Sequence, residues 1–197
     1  LSDRSGRRKL AAMGGSAVRA CWVVASTWDG RPAEPGERVV VDVTRDDAGL
    51  VVAVDAPLHG DPPPPGPPCR VDGLWDFEVV ELFLLGDGER YLELELGPWG
   101  HWLVLDLCGP RQVLGHPGPL AFETHRDGAR WRGRARVPAS WLPPGLARAN
   151  AYAIHGEGDA RRYLAAHPTG GDAPDFHRLA SFGPIPWTSA PRAGVGR

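Results

Sequence analysis

Two neighbouring segments of the chain alternate residue by residue, and this alternation restricts the fold more than any other feature. In Tyr91-Leu92-Glu93-Leu94-Glu95-Leu96 the three leucines fall on one side, and Tyr91, Glu93 and Glu95 on the other. After the turn Gly97-Pro98-Trp99-Gly100 the pattern returns over residues 101–107. There Leu103, Leu105 and Leu107 oppose Trp102, Val104 and Asp106. Side chains of a strand point to opposite faces in succession, whereas a helix repeats every 3.6 residues, so a period of two specifies sheet. The two segments form an antiparallel meander. Residues 77–85 precede it as a strand that is apolar on both faces apart from Glu78 and Glu81, which suits a central position.

The rest of the chain continues in the same style. Strands are expected over residues 18–25, 39–43, 50–54, 120–124, 131–137, 149–155 and 176–179. Asp46-Asp47-Ala48-Gly49 reads as a hairpin turn. Residues 57–68 hold Pro62-Pro63-Pro64-Pro65, which lacks backbone donors and must run outside the ladders as a stiff connection. No segment carries a long helical period, and Pro138-Ala139-Ser140-Trp141-Leu142 suits only a short helical turn. About nine short strands separated by turns specify an all-β protein. The expected fold is a two-sheet antiparallel β-sandwich with jelly-roll-like connections. One domain spans residues 17–187, flanked by disordered tails over 1–16 and 188–197.

Composition excludes several function classes. A net charge of −2 offers no broad positive field, so neither nucleic acid nor an anionic membrane is an expected partner. No apolar run reaches the ~20 residues of a membrane span. Lys9 is the only lysine, which argues against Schiff-base chemistry and lysine-assisted phosphoryl transfer. HExxH, GxSxG, P-loop and GxGxxG motifs are all missing. Cys21, Cys69 and Cys108 form no CxxC and suggest a reducing, cytoplasmic setting. Arg7-Arg8-Lys9 with the short apolar stretch that follows resembles a twin-arginine signal and leaves export as the alternative. Neither a metal nor a cofactor is called for, and no catalytic residue is assigned.

The segment Leu74-Trp75-Asp76-Phe77-Glu78-Val79-Val80-Glu81-Leu82-Phe83 is where chemistry concentrates. Trp75 opens the strand from a loop, and Glu81 sits inside an otherwise apolar run. Such a carboxylate must be paired, hydrogen-bonded or open to a recess. Sugar binding uses an aromatic plate for the C–H face of the ring and carboxylates or arginines for the hydroxyls, and Trp75 with Glu81 supplies both. The competing reading is a core Trp75 with Glu81 paired to a buried arginine, Arg162 being available to Glu81 or Glu93.

These residues resemble carbohydrate-binding modules of family nine, which share a tryptophan followed by acidic residues and a Val-Glu-x-Phe strand. The closer resemblance is to uncharacterised protein family 0462, itself similar to those modules. It is carried by Thr27-Trp28-Asp29-Gly30, the segment from Leu74 to Glu81, the 91–96 strand, and Leu103-Val104-Leu105. Further on it is carried by Trp131 with Gly133, Ala153-Ile154-His155-Gly156, Arg162-Tyr163 and Pro174-Asp175-Phe176-His177. The resemblance implies a β-sandwich and, through the modules, a sugar clamped between two aromatic rings, with Tyr163 or Phe176 in place of the second tryptophan. Pro98-Trp99-Gly100 followed by His101 departs from the family's Pro-His-Gly.

The expected ligand site therefore comprises Trp75, Glu81, His155, Arg162, Tyr163 and His177, around a small-molecule or carbohydrate ligand. His155 and His177 also suit plain structural roles. Glu93 and Glu95 are expected on a solvated strand face, with Arg132, Arg134 and Arg136 lying opposite them. Two other functions stay open: a glycoside hydrolase pairing Glu81 with Glu93 or Asp76, and a protein-interaction domain presenting Trp99 and Trp102.

Overall fold

The turn after Asp46 illustrates how local sequence sets the sheets. Strands β3 (Val39–Asp46) and β4 (Gly49–Pro57) pair across it. The Ala48 N–H donates to the Asp46 carboxylate at 2.9 Å, the side-chain-to-backbone bond that favours aspartate in turns. Gly49 has φ of 134°, and a Cβ there would lie 2.1 Å from the Val137 carbonyl oxygen, so only glycine fits.

The computed structural model describes residues 17–190, and the proposed N-terminal tail and its export-like motif lie outside them. Strands β1 (Val18–Val24), β9 (Ala121–Asp127), β10 (Arg130–Pro138) and β14 (Thr188–Ser189) join β3 and β4 in a smaller sheet, ordered β14-β1-β3-β4-β10-β9. The larger sheet holds β2 (Ser26–Thr27), β5 (Val79–Leu85), β6 (Arg90–Leu96), β7 (Trp102–Cys108), β8 (Val113–Gly115), β11 (Arg148–His155) and β12 (Arg162–Ala165). Its order is β2-β12-β11-β5-β6-β7-β8, with β13 (Gly183–Pro184) also paired to β11. All of these strand pairings are antiparallel. The molecule is the two-sheet antiparallel sandwich that the alternation implied.

Four expectations need correction. Residues 176–179 form no strand: Phe176 and His177 lie in a turn, and Leu179 opens a short 3-10 helix, Leu179–Ser181. Arg162 and Tyr163, expected in a loop, begin β12. Thr188 and Ser189, assigned to the C-terminal tail, pair with Arg19 and Val18 of β1, because that edge leaves backbone groups that need partners. The arginine stripe of β10 lies on the solvent face of the smaller sheet, far from Glu93 and Glu95 on the larger one. There Arg130 and Arg132 pair with Asp55, and Arg134 sits opposite Glu123.

Two apolar clusters result. Between the sheets pack Val41, Val43, Val52, Val54, Trp131 and Val137 against Leu82, Leu84, Leu92, Leu94 and Leu96. Burial of each such side chain contributes roughly 1.5–3 kcal/mol. The second cluster covers the outer face of the larger sheet: Phe83, Tyr91, Leu103, Leu107, Tyr152 and Ile154 lie under Phe176 and Phe182. This explains why every residue of β5 is buried. A sheet covered on both faces requires an apolar strand, and the cover here is the connection from β12 to β13.

Candidate functional site

Between that connection and the sheet lies a cavity of about 380 Å³, within the ~300–1,000 Å³ typical of small-ligand sites. Alternation selects its floor. Glu81 and Phe83 of β5, Glu93 of β6, Leu105 and Leu107 of β7, Ile154 of β11 and Tyr163 of β12 all project from the outer face. The walls are Trp75 from the turn before β5, Arg111 from the β7–β8 connection, Val113 from β8, and Pro174, Phe176 and His177. Trp75 is 45% exposed beside the cavity, an unusual position for so large an apolar surface.

The wall made by Phe176 is held by β11. Its ring stacks on Tyr152 with centroids 4.0 Å apart and planes within 9°. The Tyr152 hydroxyl donates to the Phe176 carbonyl at 3.1 Å and accepts from Asn150 Nδ2 at 2.9 Å. Asn150 also donates to the His167 carbonyl and accepts from the His167 N–H, at 2.7 and 3.0 Å. This buried asparagine, the only one in the chain, thereby fixes both ends of the roof. Trp75 is held from another side. Arg161 donates to the carbonyls of Trp75, Asp76 and Gly156 and lies 5.8 Å from the Tyr163 ring centroid.

A polar chain runs along the rim. Arg111 donates its backbone N–H to the Tyr91 hydroxyl at 3.2 Å and its guanidinium to Asp175 at 2.7 Å. Asp175 accepts the His177 N–H at 3.1 Å, and the Tyr91 hydroxyl meets His177 Nδ1 at 2.7 Å. The hydroxyl thus joins Arg111 to His177 in one hydrogen-bonded chain. Burial, reinforced by the Arg111 charge, lowers the His177 pKa to about 4, so the ring is neutral at physiological pH. Burial pushes the Tyr91 phenol up to about 12.

Beneath the rim sit three acids on two adjacent strands. Glu81 and Glu95 are direct partners across β5 and β6, and Glu93 is two residues from Glu95 on the same face. Their exposures are 2%, 0% and 2% for Glu81, Glu95 and Glu93. The solvated face expected for Glu93 and Glu95 does not exist, because the β12–β13 connection covers it. Both Glu95 oxygens and Glu93 Oε2 are buried without a hydrogen-bond partner among the described residues. Burial raises all three carboxyls. Glu93 reaches about 7 even though its contact with Glu95 and the Arg111 charge pull it down, while Glu81 and Glu95 are raised further by neighbouring carboxylates. Among the described residues no three His, Cys, Asp or Glu side chains are grouped to hold a metal ion.

Of the residues singled out from sequence, Trp75, Glu81, Tyr163 and His177 line this one cavity. His155 and Arg162 do not. They face the opposite side of β11 and β12, where Arg162 binds Glu37 through two bonds of 2.8 and 3.0 Å. His155 Nε2 lies 3.0 Å from the same carboxylate, and its ring stacks on His59 at 3.5 Å. The expected pairing of Arg162 with Glu81 or Glu93 is thus replaced by one with Glu37. Burial alone would raise the Glu37 carboxyl, but the bonds from Arg162, the Glu34 N–H and His155 bring it down to about 2. The arginine that serves the site is the preceding residue, Arg161. Arg111 and Val113 were not anticipated, since nothing in their local sequence brings them against the β12–β13 connection; Phe83 and Pro174 stood in the quoted motifs without a site role.

Comparison with known proteins agrees with the motifs. No family model matches the chain. UPF0462 protein C4orf33 of Homo sapiens is 42% identical over 165 residues, covering 79% of this chain and 82% of that protein. Its homologue in Mus musculus is 44% identical over 168 residues, covering 81% and 87%. The chain belongs to the UPF0462 family. Among solved structures, this UPF0462 chain is similar to a candidate carbohydrate-binding protein from Bacteroides uniformis. The TM-score is 0.67 and the identity 16%, over 83% of this chain and 84% of that one, which shows a shared fold. A looser likeness, with a TM-score of 0.47 and 16% identity over 71% and 70% of the chains, is to a family 9 carbohydrate-binding module. That module, from Caldicellulosiruptor kristjanssonii, is in complex with cellotriose.

Proposed function

We propose that this UPF0462 domain is a non-catalytic binding module for a small carbohydrate-like molecule, held in the cavity beneath Phe176 and His177. The observation that carries the reading is the pairing of unmatched acceptors with an aromatic plate in one recess. Glu93 Oε2 is buried and lacks a donor, Glu81 lines the same space, and Trp75 stands half exposed at its side. Leaving a buried acceptor unpaired costs about 1–3 kcal/mol, a cost a ligand hydroxyl would remove. Trp75 and Tyr163 offer ring faces to the C–H surface of a sugar, and Arg111 offers donors from the rim. The fold shared with the Bacteroides protein supports the same class of ligand by analogy.

The test is titration of the protein with a panel of mono- and disaccharides, followed by tryptophan fluorescence and calorimetry, alongside Trp75→Ala. Saturable binding that weakens at least about tenfold in Trp75→Ala, with an unchanged melting temperature, is the expected result. No response at millimolar ligand, a binding free energy weaker than about −4 kcal/mol, overturns the reading.

A second reading, glycoside hydrolysis, draws on Glu81 and Glu93 lining one cavity, the former strongly shifted and the latter near neutrality. Turnover of nitrophenyl glycosides that disappears in both Glu81→Gln and Glu93→Gln would favour it over simple binding.

A further inference from the structure

Two buried acids open onto the cavity with no cation bonded to them among the described residues, and this specifies more about the ligand. Glu81 and Glu93 both open onto it from adjacent strands, each 2% exposed, and Glu93 Oε2 has no donor. The charges of Arg161 and Arg111 reach the two acids, but neither arginine is bonded to them. Arg111 holds Asp175 at 2.7 Å, and Arg161 is bonded to the carbonyls of Trp75, Asp76 and Gly156. His177 is hydrogen-bonded to the Tyr91 hydroxyl through Nδ1 and is neutral. Behind the pair lie two more carboxyl groups, those of Glu95 and Asp76. Tyr152 and Tyr163 of β11 and β12 contribute only neutral rings and hydroxyls. Among the described residues no cationic side chain is bonded to either acid.

A neutral sugar would supply hydrogen bonds to these acids but no counter-charge for their ionised form. A metal ion would need ligands grouped around one point, which the described residues do not form. A primary ammonium matches better, with three N–H donors for acceptors on two strands and a positive charge. The rings of Phe83, Tyr163 and Phe176 around the cavity favour a cation as well.

We infer that the ligand is an amino sugar with a free, protonated amine, its ammonium group seated between Glu81 and Glu93. This rests on the sugar-site reading above and narrows it to a charged class. Seating the ammonium ionises a carboxyl that is otherwise held neutral, and its proton passes to solvent.

Glucosamine, N-acetylglucosamine and glucose are compared by calorimetry at about pH 6.5, where the free amine is charged, in two buffers of different ionisation enthalpy. The expected result is at least about tenfold tighter binding of glucosamine than of either neutral sugar. Release of roughly half to one proton should accompany glucosamine alone. In Glu93→Gln and, separately, Glu81→Gln the preference should fall toward unity and the proton release should vanish. Either variant suffices if the other does not fold. Equal affinity for glucosamine and glucose, or binding without proton release, overturns this inference and leaves the sugar-site reading standing. Failure of all three sugars to bind overturns both.

Discussion

Glu93 carries the most information of any single residue in the site. Its ordinary pKa near 4.5 rises to about 7 on folding, and Glu81 and Glu95 move the same way. A carboxyl raised on folding binds its proton more tightly in the native state. Its stabilising effect is therefore complete below about pH 4.5 and is lost as pH climbs to about 7. Glutamine mimics the protonated acid. Glu93→Gln should melt like the wild type at pH 4 and gain stability relative to it as pH rises, reaching up to about 3 kcal/mol above pH 7. Denaturant titrations at pH 4, 6 and 8 measure this, and a gain that does not grow with pH would refute it. Under the proposed function, that loss of stability at neutral pH goes with keeping three acids at the ligand. Sequence exposed half of this. Glu81 stood out because its neighbours are apolar, whereas Glu93 and Glu95 alternate with leucines just as they would on a wet sheet face. Nothing nearby in sequence announces the roof that dries them.

At the scale of elements, what was legible depended on whether a pattern had a purely local cause. The β6–β7 meander was, since a period of two and a glycine-proline turn fix it without reference to the rest of the chain. Four-residue β12 was not, because Arg162 faces a Glu37 that lies more than a hundred residues away. Phe176 and Leu179 suggested a strand because they are apolar, yet their burial comes from docking a turn onto the sheet. The stack of Phe176 on Tyr152 and the bond from the tyrosine hydroxyl make that docking. Phe176→Ala should cost about 3 kcal/mol or more and should act mainly on the roof. Hydrogen exchange over residues 168–182 should quicken while amides of β3, β4 and β10, facing the other core, keep their protection. Uniform loss of protection across both sheets would show that the roof is not a separable unit.

Across the whole molecule, β11 and β12 separate two ionic clusters of opposite character. On one side Glu37 bonds Arg162 and His155, and on the other, among the described residues, Glu93 Oε2 and both Glu95 oxygens lack partners beside Glu81. Glu37, held at about 2, contributes stability above its ordinary value near 4.5 and loses it as pH falls toward 2. His59 and His155, lowered by burial, cost stability below about pH 6.5, where the unfolded chain takes up protons first. The paired cluster thus weakens in acid and the unpaired one toward neutrality. If one cluster is scaffold and the other site, substitutions should dissociate stability from binding. Glu37→Gln strands part of the Arg162 charge and should cost about 2 kcal/mol at pH 7. That deficit should fade as pH nears 2, while sugar affinity at pH 7 stays within about twofold of wild type. Trp75→Ala should do the reverse, sparing the melting temperature and abolishing the affinity, since a ring that is 45% exposed contributes little to the core. Parallel melting and titration of the two variants decides the matter. Should Glu37→Gln weaken sugar binding as much as Trp75→Ala, the division of labour across β11 and β12 is wrong, and His155 and Arg162 return to the site that the sequence first assigned them.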